Sequence, residues 1–568
     1  MKNRIFIYIA VLVAFTMSCD NFDLDLQENP NFPGVASGDI DAIYNNIQLE
    51  FEEIHFILED QTGEVSRMYN ATSPNYGAAT LPVVFDPLWV SMYADFLPDI
   101  IALEEVAAPQ GLNIHVGTVK ILEAFILMEM VDTFGDIPFS EIGQGLDELS
   151  PRVDPGADVY AAADALLDEA IALLNDPGEI APAFDNFYGG DPVKWITLAN
   201  TIKLRAAYLT GNTTAFNSII SAGDYIDSED EDFQYNYGTG RNLPESRHPR
   251  YVNQYEQADG DYMSNYYMWL LRGEKLDTDG ITEIRDPRLR YYFYRKVNNS
   301  DKQPVDSYGC VLSDLPDQNS KPDSWDLIDP RIPYCYGAAD GYTGRDHLNG
   351  SGIPADGAIR TAYGLYPMAG DFDNNEFENT QNLGTTGGLG YGISPLILSS
   401  FVDFMRADMA LTSGSGDPRA LMIEAVGESI AKVRGFESLV ANKMSSPVTQ
   451  GGTTTTVQAA FGMTDDDITD YEATVGRLYD EATSDAERRD VIIKEYYIAA
   501  FGNGLEAYNM YRKTGLPANM APPLQEENAG AFPRSMRYAN AFVDRNIDVS
   551  QKTEDVPVFW SPQLSTLR

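Results

Sequence analysis

The chain has 568 residues, of which 44 % are hydrophobic and 22 % are charged, which is the composition of a folded protein with a large core. It carries 86 Asp and Glu residues against 39 Lys and Arg residues, giving a formal net charge of −47 at pH 7. A negative field of this size repels nucleic acids and anionic membrane surfaces. The composition therefore argues against a nucleic-acid partner and favours neutral or cationic ligands.

A targeting segment opens the sequence. Residues 1–18 combine positive charges at Lys2 and Arg4 with an uninterrupted apolar run from Ile5 to Phe15, which is the pattern of a signal peptide. The following Cys19 makes the segment resemble a bacterial lipoprotein signal, in which this cysteine is lipidated. An ordinary secretory signal with a chance cysteine is the alternative. Residues 19–38 lack periodicity and are predicted to form a polar tether.

Apolar residues at helical spacing mark two segments, 39–223 and 393–568, which we expect to form one helical scaffold. The strongest pattern runs from Val119 into a turn where Gly135 and Pro138 end the helix. Paired helices of this kind resemble tetratricopeptide-type hairpins. These patterns of apolar residues, or helical stripes, predict helices over about 40–47, 89–103, 119–134, 159–173, 195–209, 395–411 and 491–499. The stretch from Pro447 to Thr456 is predicted to be an exposed loop.

The middle of the chain, residues 224–392, has a different character. It is rich in Gly, Pro, Asp, Asn and Tyr and contains few amphipathic runs. Long irregular regions inside regular proteins usually carry function. We therefore expect the ligand-binding part of a single domain, 39–568, to lie in this region.

Aromatic residues outside the helical stripes are the best candidates for lining a pocket. The chain has 33 Tyr, and the flat faces of Tyr and Trp can stack on sugar rings while their polar groups reach the ligand. For each residue taken singly, packing beneath a loop is the alternative. The predicted pocket residues are Tyr76, Trp325, Tyr334, Tyr336 and Tyr342, with Arg345, Asp346 and Asn349 as polar neighbours.

One stretch has the spacing of a calcium loop. Asp371, Asp373 and Asn375 place oxygen ligands at alternate positions, but the stretch lacks the glycine and the distal glutamate of an EF-hand. The stretch therefore fits either of two interpretations, a calcium site or a solvated acidic turn. No other cofactor is expected, because the four His residues are too scattered for a zinc site.

Two cysteines, Cys310 and Cys335, remain after Cys19. In an exported protein they can form a disulfide, and free thiols are the alternative.

Catalytic motifs are absent from the sequence. It contains no G-x-S-x-G, no P-loop, no G-x-G-x-x-G and no H-E-x-x-H. Carboxylates are abundant, but no spacing singles out a pair for glycoside hydrolysis. We expect a binding protein rather than an enzyme, with a surface glycoside hydrolase and a scaffold for protein contacts as the alternatives.

Several motifs, taken in chain order, resemble the SusD/RagB family of nutrient-binding outer-membrane lipoproteins of Bacteroidetes-type bacteria. They are Glu28-Asn29-Pro30-Asn31, Ala124 to Phe139, Trp195 to Ala207, Asp286 to Leu289, Gly344 to His347, Ala362 to Pro367, Phe501 to Ala507, Arg512 to Gly515 and Pro533-Arg534.

The resemblance implies an all-α body of four tetratricopeptide-like helix pairs, together with an irregular half that holds the ligand site. It implies a surface-exposed lipoprotein of the outer membrane that partners a SusC-like TonB-dependent transporter. Such proteins bind oligosaccharides, or peptides in some members, and pass them to the transporter without acting as enzymes.

Overall fold

Helices dominate the computed structural model, which describes residues 39–143, 150–257, 260–298, 321–334, 340–350, 360–378 and 384–568. The predicted all-α fold class is confirmed, because the strands in these ranges form only small two-stranded sheets. The α-helices are α1 Ile40–Val65, α2 Tyr76–Ala79, α3 Asp86–Val90, α4 Leu97–Ala107, α5 Asn113–Phe134, α6 Gly156–Leu174, α7 Pro192–Thr210, α8 Thr213–Ala222, α9 Pro249–Tyr255, α10 Asn265–Arg272, α11 Leu289–Tyr292, α12 Asp323–Asp326, α13 Ser399–Ser413, α14 Pro418–Gly435, α15 Ala441–Met444, α16 Val457–Phe461, α17 Asp465–Glu481, α18 Asp485–Ala499, α19 Gly504–Thr514 and α20 Asn540–Val543.

Shorter elements connect the helices. A π-helical segment, Ser91–Phe96, joins α3 to α4. The 3₁₀ segments are Pro82–Phe85, Ala108–Gln110, Glu229–Glu231, Phe436–Val440 and Glu526–Asn528. The strands are β1 Phe233–Asn236, β2 Lys275–Leu276, β3 Glu283–Ile284, β4 Phe293–Tyr294, β5 Ala362–Tyr363, β6 Ile393–Ile397, β7 Pro447–Gln450 and β8 Thr453–Thr456.

Helix α5 is the centre of the N-terminal half. Almost every side chain of this helix is buried, because α1, α4, α6, α7 and α19 all pack against it. A helix surrounded in this way is apolar on all sides. It ends at Gly135, whose φ of +80° favours glycine. The predicted core helix and its terminating turn are therefore present.

The C-terminal half is built from two helix hairpins, α13–α14 and α17–α18, which pack on each other. Local capping explains where these helices begin. The Asp417 side chain, just ahead of α14, accepts hydrogen bonds from two main-chain N–H groups in the first turn of that helix, and Thr464 and Asp467 form a capping box at α17. Helix α19 then packs on α1 and joins the two halves.

Two of the predicted elements need correction. The helix predicted over 395–411 begins only at Ser399, because Ile393–Ile397 form strand β6 and pair with β1. The stretch from Pro447 to Thr456 is an exposed hairpin, β7–β8, rather than an irregular loop.

The loop-rich region leaves the helical scaffold and returns to it at one place. Strands β1 and β6 run antiparallel, with Phe233 opposite Ile397 and Asn236 opposite Ile393. The described segments between them contain short helices and the small pairings β2–β3 and β4–β5.

His55 on α1 and Glu129 on α5 form an ion pair in which both side chains are buried, with His55 Nδ1 and Glu129 Oε1 3.0 Å apart. Burial alone would lower the pKa of His55, but the Glu129 carboxylate reverses this effect and the pKa rises from 6.5 to about 9. A histidine whose pKa is higher in the folded state stabilises that state below its unfolded pKa and loses this contribution as pH rises.

We therefore expect the wild type to exceed the His55→Gln variant in free energy of unfolding by about 2–3 kcal/mol near pH 6. This difference should shrink as the pH rises towards 9, as measured by urea denaturation at several pH values. His248 is a matched control, because burial and the nearby Arg250 hold its pKa well below 6.5. The effect of His248→Gln should stay constant between pH 7 and pH 9, and a constant His55→Gln effect would contradict the prediction.

Within the described ranges, no helix combines the length and the apolar character needed to cross a bilayer.

Candidate ligand-binding site

A cleft of about 670 Å³ opens between α2, α12, the segment 518–534 and the last residues of the chain. Its wall combines apolar side chains with a few polar groups, which is the usual make-up of a ligand site. The described lining residues are Tyr76, Ser324, Leu327, Ile328, Ala518, Pro522, Pro523, Glu526, Ala529, Gly530, Ala531, Phe532, Arg534, Leu567 and Arg568.

Tyr76 is the predicted pocket residue that lies in this wall. Its main-chain N–H donates to the Ala529 carbonyl at 2.9 Å, and its hydroxyl lies 3.1 Å from His347 Nε2. Its ring packs edge-on against Phe532, with 5.6 Å between the ring centroids. Burial lowers the pKa of His347 well below its ordinary value, and the charge of Arg67 adds to the effect. His347 is therefore a neutral partner that fixes the Tyr76 hydroxyl at neutral pH.

Trp325 and Tyr334 stand behind the cleft rather than in it. Both side chains are buried, and their rings meet edge-to-face at 5.1 Å. The indole anchors α12, whose neighbouring residues Ser324, Leu327 and Ile328 line the cleft. Leu327 is 87 % exposed, so its side chain offers apolar surface to a ligand in the cleft.

The remaining polar candidates hold the segment 340–350 in place. The Arg345 main chain bonds to Asn265 and its guanidinium lies 4.0 Å from the Tyr262 ring centroid. Asp346 Oδ1 accepts a 2.8 Å hydrogen bond from Asn265 Nδ2, and the Asn349 main-chain N–H donates to the Asp346 carbonyl. These residues are buried and lie outside the described cleft wall.

Tyr342 belongs to a different cluster, because the guanidinium of Arg295 lies 4.8 Å from its ring centroid. The structure thus brings Tyr76 and the Trp325 helix to one cleft and leaves Tyr342 outside its described wall. Tyr336 and the cysteines Cys19, Cys310 and Cys335 lie outside the described residues, so their predicted roles remain predictions.

The predicted calcium ligands are held by protein cations. Asp371 Oδ1 lies 2.6 Å from Lys443 Nζ, and Asp373 Oδ2 lies 2.6 Å from Arg295 Nε. Asn375 Oδ1 accepts a hydrogen bond from Arg290 Nη1 at 3.0 Å. Because these cations already neutralise the oxygens, the geometry favours a buried ion-pair cluster over a calcium site.

Another acidic group comes nearer to a metal-binding arrangement. Carboxylate oxygens of Asp403, Glu424 and Glu428 lie within 4.8 Å of one another. Burial and neighbouring carboxylates raise the pKa of Glu428 to about 7, while Arg406 pairs with Asp403. Protonation and this arginine relieve the repulsion among the carboxylates without a metal ion.

The C-terminal wall of the cleft escaped prediction. It comes from residues 518–534 and 567–568, whereas we expected the ligand within 224–392. The signals that mark it are Pro522-Pro523 and Ala529-Gly530, in the irregular stretch that follows α19. Such turn signals indicate a loop but do not show where the loop packs.

Solved structures with the same fold are numerous. A SusD/RagB family protein from Bacteroides thetaiotaomicron superposes with a TM-score of 0.60 at 16 % identity, covering 92 % of this chain and 99 % of that chain. A SusD homolog from Bacteroides vulgatus gives a TM-score of 0.59 at 15 % identity, covering 91 % and 97 %. A chitin-binding SusD homolog from Flavobacterium johnsoniae gives 0.58 at 16 % identity, covering 93 % and 100 %. At these identities the likeness establishes the fold.

Two family models match the sequence of the chain. Residues 41–329 match a SusD-like family described as starch-binding and associating with the outer membrane. Residues 393–554 match the SusD and RagB outer-membrane lipoprotein family. No curated protein sequence matches the chain significantly.

The chain belongs to the SusD/RagB family, as its motifs predicted. Family membership implies an outer-membrane lipoprotein that binds glycans at the surface for uptake, and the family as a whole consists of binding proteins rather than enzymes.

Proposed function

We propose that this protein captures a nutrient oligosaccharide in the cleft beside Tyr76 and delivers it to a SusC-like TonB-dependent transporter in the outer membrane. The observation that carries the proposal is the cleft of about 670 Å³ where Tyr76, α12 and the segment 518–534 meet. The family assignment supplies the transport role.

The wall of the cleft suits a sugar ligand. Leu327 provides exposed apolar surface for the carbon face of a sugar ring, backed by the buried rings of Tyr76 and Phe532, while Ser324 and Glu526 offer hydrogen-bonding groups. The solved homologue from Flavobacterium johnsoniae is described as chitin-binding, which supports carbohydrate as the ligand class.

The membrane role rests on the N-terminal sequence. A lipid on Cys19 would anchor the protein, since each buried methylene contributes about 0.8 kcal/mol. The polar stretch up to residue 38 would then tether the ligand-binding body at the cell surface, where the cleft can receive glycan before the transporter does.

A large side chain that fills the cleft should weaken the binding of the oligosaccharide. Ala531 is exposed in the cleft wall, so Ala531→Trp is expected to weaken oligosaccharide binding about tenfold or more without disturbing the core. The measurement is isothermal titration calorimetry with a panel of defined neutral and acidic oligosaccharides. Ala165→Trp, on the exposed face of α6, is the matched control and should bind like the wild type. Equal affinities for the wild type and Ala531→Trp would show that the cleft is not the site.

Samples from the same titrations test the two alternatives, a glycoside hydrolase and a peptide-binding protein. Glu526 is the only carboxylate side chain among the described lining residues, whereas glycoside hydrolysis normally uses two Asp or Glu side chains. We therefore expect the oligosaccharides to be recovered intact, as measured by mass spectrometry. Cleaved products that disappear after a single Asp or Glu substitution would favour the hydrolase. Retention of peptides and of no saccharide would favour a peptide-binding member of the family.

A further inference from the structure

Most lysines and arginines of the described chain are neutralised by carboxylates, as expected for a protein with a net charge of −47. Arg250 Nη2, for example, lies 2.7 Å from Glu59, and Lys494 Nζ lies 2.8 Å from Glu274. An arginine without such a partner is therefore an exception in this molecule.

Two of these exceptions line the cleft. Among the described residues, no carboxylate side chain forms an ion pair with Arg534 or Arg568, although both belong to the cleft wall. Arg534 Nη2 donates to the Leu564 carbonyl at 2.5 Å, and Arg568 Nη2 lies 3.4 Å from the Ala518 carbonyl. Carbonyl contacts orient a guanidinium but leave its full charge uncompensated. Arg534 Nη1 is also buried with no hydrogen-bond partner among the described residues.

A third arginine lies directly behind the wall. The guanidinium of Arg67 is 5.8 Å from the ring centroids of both Tyr76 and Phe532. It donates hydrogen bonds to the main-chain oxygens of Val65, Ala521 and the last residue, Arg568. Its charge acts on the site, since it contributes to the lowered pKa of His347. The positive potential at the cleft thus comes from two lining arginines and a buried one.

The opposing negative charge in the wall is small. Glu526 is the only carboxylate side chain among the described lining residues, and Ser324 Oγ donates a hydrogen bond to it at 2.6 Å. The main-chain oxygen of Arg568, the last residue in the sequence, is bound by Arg67. The cleft wall is therefore net positive on a strongly acidic protein. Since the field of the whole protein repels anions, a local reversal of charge at the ligand site selects for them.

We propose that the cleft binds an anionic oligosaccharide, whose carboxylate or sulfate group is held by Arg534 and Arg568 while its rings rest on the apolar wall. This proposal rests on the function proposed above, and it replaces the neutral ligand that the overall charge favours. Guanidinium groups match such oxyanions because their N–H groups form a planar fork that donates two parallel hydrogen bonds.

Calorimetry with three kinds of oligosaccharide tests the proposal. The probes are oligogalacturonates for the carboxylate, chondroitin sulfate oligosaccharides for the sulfate, and chito- and malto-oligosaccharides as neutral comparators. We expect at least one anionic probe to bind, and to bind about tenfold more weakly in about 0.5 M NaCl because salt screens the attraction. Binding of the uronate alone assigns the carboxylate, and binding only of the sulfated probe assigns the sulfate.

Removing the positive charge of either lining arginine should weaken the binding of the anionic probe and leave the binding of neutral probes unchanged. Arg534→Gln and Arg568→Gln are each expected to weaken its binding about tenfold, and the double variant more, while Arg534→Lys keeps a positive charge and retains part of the affinity. Arg419→Gln, which removes an exposed arginine paired with Asp480, is the control and should change nothing. Thermal melting of each variant shows that it is folded.

The outcomes separate this inference from the proposed function. Neutral probes that bind at full strength and are blocked by Ala531→Trp, but do not respond to either arginine substitution, would overturn the anionic ligand and leave the cleft as the binding site. An anionic probe whose binding survives Ala531→Trp would overturn both. Competition by acidic peptides with no saccharide bound would overturn the sugar class.

Discussion

Replacing Asp132 with alanine is expected to lower the free energy of unfolding by about 3–5 kcal/mol, because it leaves a buried arginine without one of its carboxylates. Asp132 lies near the end of α5 and is fully buried. Its Oδ2 accepts from Arg205 Nη1 at 3.2 Å and from Asn509 Nδ2 at 3.0 Å. Its Oδ1 accepts from Trp560 Nε1 at 2.8 Å and from the Tyr160 hydroxyl.

Because Asp132 is the acceptor at the centre of a hydrogen-bond network, its removal should lower the free energy of unfolding by more than the loss of an isolated buried contact. Its donors come from α6, α7, α19 and the C-terminal segment, so one carboxylate joins both halves of the scaffold. Removing it leaves four donors without their acceptor, three of them on buried side chains and one on the partly buried Trp560. Each buried donor costs about 1–3 kcal/mol when unsatisfied, although local rearrangement recovers part of this. Glu506, 2.9 Å from Arg205 Nε, keeps the arginine from being wholly unpaired.

Urea denaturation followed by circular dichroism measures the loss. Asp132→Asn keeps one acceptor oxygen but removes the charge, so its loss should be smaller than that of the alanine variant. Glu105→Ala, on the exposed face of α4, is the control and should stay within about 0.5 kcal/mol of the wild type. A loss below about 1 kcal/mol for Asp132→Ala would show that the network does not join the scaffold.

Gly504→Ala is expected to destabilise the protein by about 3 kcal/mol, at the upper end of the cost of overpacking. Helices α1 and α19 touch at this residue. A Cβ atom on Gly504 would lie 2.1 Å from the Glu59 carbonyl oxygen and 2.3 Å from the Gly63 Cα. Both are main-chain atoms, so the contact can be relieved only by moving one helix away from the other.

A second glycine provides the matched control for this substitution. Gly435 ends α14 with a helical φ of −55°, and a Cβ atom there would meet nothing within 4 Å. Gly435→Ala should therefore be neutral or stabilise the protein by up to about 1 kcal/mol. Thermal melting of the two variants makes the comparison, and equal melting temperatures would contradict the close contact of α1 and α19.

The sequence predicted the helices because their signals are local. Apolar spacing marks the buried face of α1, α6 and α7, and Gly135 and Pro138 mark the end of α5, all within a few residues of the feature they specify. The prediction failed at Pro395, where an apolar run looked helical but became β6. Its pairing with β1, more than 150 residues earlier, decided the outcome.

The site was only partly predictable. The aromatic residues outside the helical patterns pointed to Tyr76 and, in the irregular middle region, to the Trp325 segment, and both are at the cleft. Both Tyr76 and Tyr334 are buried, and nothing local shows that Tyr76 reaches the cleft wall and Tyr334 does not, because this depends on which distant segments pack against each ring.

By itself the sequence determined the helical scaffold and the family, since each rests on short-range patterns and on motifs in a fixed order. Only the tertiary structure decided which aromatic residues line the cleft and that residues 518–534 and Arg568 complete it. It also decided which arginines remain without carboxylates, and hence the charge of the site. These properties arise where segments hundreds of residues apart come into contact, and no periodicity within any one segment encodes them.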